Sequence, residues 1–90
     1  MNNPCFALDE IKNYKNLSRR DTQTISRVVR HYVDLHCPDL SGPAAANRAE
    51  AAEDQLYCLI NTGQIKCRLH VCRSLFFLSR GLPIPQPPQR

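Results

Sequence analysis

The 90-residue sequence lacks any uninterrupted apolar run approaching the roughly 18 to 20 residues that a membrane-spanning helix needs. No membrane partner is expected. Its three glycines form no Gly-rich phosphate loop, and HExxH, GxSxG and paired-carboxylate patterns are all missing. A chain this short buries only roughly 60 to 65% of its unfolded surface, which leaves little room for a deep cleft. The expectation is a protein that is not an enzyme and uses no cofactor.

The five cysteines include no CxxC pair, so the paired knuckle of most zinc modules is absent. The opening residues "MNNPCFALDEIKNYKN" also lack the basic region followed by an apolar one that marks a secretion signal. Together with the odd cysteine count, this points to the reducing cytoplasm and to free thiols. There are no internal repeats.

What is present is ordinary globular composition. Apolar residues make up 42% and charged residues 22% of the chain, well away from the regime of disorder, so it should fold. The net charge is +4, and nine of the twelve basic residues are arginine. Mild positive charge biases the chain toward acidic partners, whether protein or nucleic acid. The Arg- and Ala-rich style is that of small proteins encoded by bacteria, phages or plasmids.

Helical signals dominate. Asn3 before Pro4 suits an N-cap and first-turn proline, predicting a short helix over 4–15 with Leu8, Ile11, Phe6 and Tyr14 inward. In "LSRRDTQTISRVVRHYVDLHCPD", Ser18 and Asp21 form a capping box with Asp in place of Glu. At helical period Ile25, Val28, Val29, Tyr32, Val33, Leu35 and His36 share one side of a helix over 19–36. Pro38 disfavours helical geometry at Cys37 and ends it.

A third helix is predicted over 43–61, capped by Ser41 and closed by Thr62 and Gly63. Its inner row is Ala45, Ala49, Ala52, Leu56, Leu59 and Ile60, where small residues let another helix approach closely. Its outer face gathers Glu50, Glu53 and Asp54. The tail "GLPIPQPPQR", from Gly81, has no apolar period; it reads as a flexible end containing a polyproline-type Pro85-x-x-Pro88.

"QIKCRLHVCRSLFFLSR", residues 64–80, admits two readings. As a strand it alternates through Cys72, then fails at Leu75-Phe76-Phe77-Leu78. As a helix, Ile65, Cys67, Leu69, Val71, Cys72, Leu75, Phe76 and Leu78 cover one broad arc opposite Lys66, His70, Arg73 and Ser74. The expected fold is therefore all-α: one domain over 1–80, a compact bundle of four helices, with α+β and a short strand at 64–72 as the alternative. So broad an arc suggests a surface covered by a partner or by a second copy in a homodimer.

Three functional readings follow. The leading one is a binding or regulatory protein that docks its Arg-rich helix face on an acidic protein surface, using Arg19, Arg20, Gln23, Arg27, Arg30 and His31. The second places the same face in a DNA major groove, since the short helix, the turn "KNLS" and the basic helix loosely resemble a helix-turn-helix. That turn has no glycine, and the acidic helix would have to avoid the phosphates. The third is a zinc-stabilised module, with ligands drawn from Cys58, Cys67, His70 and Cys72. Neither regular geometry brings Cys67, His70 and Cys72 together, so unreactive thiols are the expectation and no metal is assigned.

Overall fold

The computed structural model describes residues 4–84, with side chains from Ala7 onward. Three α-helices, α1 (Arg19–His36), α2 (Gly42–Asn61) and α3 (Arg68–Leu78), follow an N-terminal 3-10 helix over Pro4–Glu10. The described residues contain no strand. The all-α class holds, but with three α-helices rather than four. None of them is long and apolar enough to cross a membrane.

Local chemistry accounts for α1. The Ser18 hydroxyl accepts from the Asp21 amide at 3.1 Å, and the Asp21 carboxylate accepts from the Ser18 amide at 3.0 Å. This is the capping box read from the sequence, and such a cap contributes about 1 kcal/mol. Beyond Cys37 the chain turns at Pro38.

Two of the four expected helices are corrected. The first is a 3-10 helix that ends at Glu10. Past it, the Lys15 amide donates to Asn13 Oδ1 at 2.9 Å and the Asn16 amide to the Asn13 carbonyl at 3.2 Å. Asparagine's side chain offers the backbone a turn in place of a helix, so the element stops short. Leu8, Ile11 and Tyr14 are nevertheless buried as predicted. Asn3, the side chain of Phe6 and Pro85-x-x-Pro88 lie outside the described residues.

The last helix starts at Arg68 instead of Gln64. The amides of Gln64 and Ile65 both donate to the Leu59 carbonyl, and Gly63 takes a positive φ of 81°. Residues 63–67 reverse the chain and plant Ile65 in the core, so they cannot also open a helix. His70 Nδ1 accepts from the Lys66 amide at 3.2 Å, doing at α3 part of what Asp21 does at α1.

α2 runs antiparallel to α1, because Thr22 meets Tyr57, Ser26 meets Glu53 and Cys37 meets Arg48. α3 folds back along α2, bringing Gly81 against Arg48, and its C-terminal end meets that of α1 where His36 contacts Ser79. Ile25, Val28, Val29, Leu56, Val71 and Leu75 fill the centre. The N-terminal 3-10 helix packs mainly on α1 and also touches α3, near the helices' N-terminal ends. Ile84 packs against the core from the chain that leaves α3. The buried Tyr14 hydroxyl has no partner among the described residues, and burial first, then Cys67, Cys72, Asp9 and Asp21, pushes the phenol up to about 12.

Candidate functional site: an arginine face joined to an aromatic strip

Arg19, Arg20, Gln23, Arg27 and Arg30 are exposed along α1, and His31 is half-exposed. Helical spacing puts them within a stripe of about 120°. Ion pairing occupies them only lightly. Arg30 pairs with Asp34 one turn on, at 3.1 Å, and Arg20 lies 3.9 Å from Glu10 with both side chains largely in solvent. Exposed pairs like these contribute at most about 1 kcal/mol. Arg19 and Arg20 also occupy the first turn of α1, where the helix dipole disfavours cations. Local helix stability gives no reason for arginine there.

The acidic face divides. Glu50 and Asp54 are exposed on α2, but Glu53 faces α1 and is half-buried. Its carboxylate accepts from Ser26 Oγ at 2.6 Å and from the Tyr57 hydroxyl at 3.1 Å. Burial first, then the Glu53 charge, raises the Tyr57 phenol above its ordinary value. Glu53 therefore belongs to the α1–α2 seam, since a carboxylate leaving solvent needs donors of this kind.

The sequence-level arc of 64–80 is only half covered. Val71, Leu75 and Leu78 are buried, and Ser74, expected outside, is buried with them. Leu69 is 71% exposed and Phe76 45%, and Leu35 of α1, expected on the inner side of its helix, is 61% exposed instead. Rings connect these elements: His31 meets Tyr32, Tyr32 meets His36, His36 meets Phe76, and Phe76 meets Phe77, all edge to face with centroids 5.2 to 6.2 Å apart. The Arg80 guanidinium sits 4.8 Å from the centre of the Phe76 ring. The strip begins at His31, on the border of the arginine face, and ends under Arg80.

Ser79 anchors the strip from below. Its hydroxyl lies 2.6 Å from the Leu75 carbonyl and 2.8 Å from His36 Nδ1. Two oxygens that close need the hydroxyl proton between them, so Ser79 donates to Leu75 and accepts from His36 Nδ1–H. This direction is the reverse of nucleophile activation, in which the imidazole takes the serine proton. Cys37 Sγ reaches a different atom, the Ser79 carbonyl at 3.4 Å, and accepts from Arg48 Nη1 at 3.6 Å.

Burial, with Arg80 and His31 adding to it, lowers the His36 pKa below its usual 6.5. A histidine depressed in the fold contributes stability above its unfolded value, and that stability is lost as pH falls from there toward the folded value. Protonation adds charge at Nε2 and leaves the Nδ1–H bond in place. Comparing urea unfolding of wild type and His36→Asn from pH 7.5 to 5 should show a steeper decline for wild type below about pH 6.5. Parallel curves would contradict this placement of His36.

Cys37, Cys58, Cys67 and Cys72 are free thiols. Among the described residues no group of three His, Cys, Asp or Glu is placed to hold a metal ion. The Cys58, Cys67, His70 and Cys72 set does not assemble, and the His70 ring is already engaged at Lys66. A concavity of about 780 Å³ between α2 and the chain after α3 has Arg48 as its one ionisable lining residue. No family model, curated protein or solved structure matches the chain.

Proposed function

We propose that the protein is a non-enzymatic binding protein that occupies an acidic patch on a protein partner through the arginine face of α1 and the adjoining aromatic strip. The observation that carries this reading is continuity: exposed Phe76 lies under Arg80 and connects through His36, Tyr32 and His31 to the arginine face, with exposed Leu35 one helical turn past His31. Protein interfaces concentrate their energy in aromatic and arginine side chains over a desolvated centre. Arg27 and Arg30 on one side, and Arg73 and Arg80 on the other, would meet carboxylates around that centre. A duplex backbone has no use for exposed Leu35 and Phe76. Ser26 of α1 also holds the Glu53 carboxylate in the seam with α2, a negative charge that a phosphate backbone on this helix would have to avoid.

The test is affinity capture from host lysate with nuclease, repeated with Arg27→Glu/Arg30→Glu and with Phe76→Ser. The expected result is a nuclease-resistant protein partner whose affinity falls at least about tenfold in each variant, as loss of an interface anchor implies. Recovery of nucleic acid alone, or a partner indifferent to both variants, would sink the reading. A concentration-dependent dimer dissolved by Phe76→Ser would assign the strip to a second copy instead.

A further inference from the structure

The chain has three lysines, Lys12, Lys15 and Lys66, and all three line one small open pocket of about 180 Å³. It lies at the end of the bundle opposite the aromatic strip, where the loop before α1 meets the end of α2 and the turn into α3. Ile60 and Ile65 supply its apolar lining. All three lysines are exposed, and no carboxylate lines the pocket. The nearby acids are engaged elsewhere, Asp9 by Arg68 at 3.0 Å and Asp21 by the Ser18 amide. Asn13 is fixed by its Oδ1 bond to the Lys15 amide, which leaves its Nδ2 hydrogens as donors on the same pocket.

Three like charges around one small volume repel one another, and an anion between them converts that repulsion into attraction. Lysine is a compact point charge with three rotatable donors, suited to tetrahedral oxyanions, and no arginine lines this pocket. The volume is below the roughly 300 Å³ at which drug-sized ligands begin to fit, so it selects a small group. α3 begins just past Lys66 with its N-cap, Cys67, making no side-chain bond, but α2 ends in the same region. The two dipoles oppose each other, and the excess positive charge comes from the lysines.

We propose that this pocket binds a phosphoryl dianion, as carried by inorganic phosphate or a small phosphate monoester. A dianion engages more than one ammonium at once, and Asn13 supplies a neutral donor. The site is separate from the protein-docking surface and does not depend on it.

The test is a titration of the full chain with inorganic phosphate and with phenyl phosphate at constant ionic strength, followed by amide chemical shifts. Saturable shifts are expected at residues 12–15 and 63–66. Lys12→Gln and Lys66→Gln should each weaken binding about fivefold, and the triple lysine variant should abolish it, while Arg27→Gln changes nothing. Phenyl phosphate should bind more tightly as pH rises through about 6, where a monoester becomes a dianion. Shifts that fail to saturate in the millimolar range would overturn the site, as would binding retained by the triple variant. Sulfate matching phosphate at every pH would overturn the phosphoryl assignment.

Discussion

Leu75→Ala should lower the free energy of unfolding by about 2 to 5 kcal/mol, read from the urea midpoint at unchanged slope. Leu75 is fully buried in the central cluster with Val28, Leu56 and Val71. Truncation removes its transfer energy and leaves a cavity between three helices that cannot all collapse inward. Domains of this size have only about 5 to 15 kcal/mol in total, so the variant should sit close to unfolding at physiological temperature. A loss below about 1 kcal/mol would show that α3 does not pack through this face. The same substitution at Phe76 should cost far less stability, because nearly half of that side chain is already in solvent.

The opposite error is expected to be comparably damaging. Ala45→Leu should destabilise by about 3 kcal/mol, although it adds apolar surface and changes helix propensity by only a few tenths. Ala45 is fully buried at the start of the inner row of α2 and, unlike Ala52, lines no part of the concavity beside that helix. Three extra carbons there must push α2 off its neighbours, since interiors are packed to crystal-like density. Thermal unfolding would register this as a drop in Tm of roughly 12 to 24 °C for a domain this small. An unchanged or raised Tm would mean that the space beside Ala45 is open and that the alanine row does not set the helix spacing.

These two variants also separate stability from binding. Neither touches the arginine face, the aromatic strip or the lysine pocket. At temperatures where they remain folded, both should retain whatever those surfaces bind.

Much of the architecture was legible in short-range signals. Ser18, Asp21 and Pro38 fix the limits of α1 because caps and prolines act within a few residues. The alanine row and Gly63 likewise mark the inner side and the end of α2. The departures lie where a local turn or the packing of the chain overrides the helical signal. Asn13 diverts the first helix into a turn, and the need to bury Ile65 delays α3 by four residues. Ser74 and Ser79 are buried although serine usually lies outside, and the Ser79 hydroxyl is satisfied by His36 and the Leu75 carbonyl.

The candidate surfaces show the same division. Periodicity alone found the arginine stripe, because it lies on one helix. The aromatic strip is not legible in the sequence, since it is joined where His36 meets Phe76, forty residues further along the chain. Glu53 was placed outside because its period matches Glu50 and Asp54 closely enough, yet the packing of α1 turns it into a seam contact. The three lysines are so far apart in sequence that no spacing joins Lys66 to Lys12 and Lys15.

The sequence by itself determined that the chain is helical, where α1 and α2 lie and which arginines of α1 stay in water, because caps, prolines and the 3.6-residue period are local physics. Only the tertiary structure decided which half of the 64–80 arc is buried, which acid joins two helices and which cations share a pocket. Those outcomes depend on the antiparallel α1–α2 pairing and on the return of α3 along α2. Such contacts are set by the burial and packing of the whole chain at once, and no window of neighbouring residues contains them.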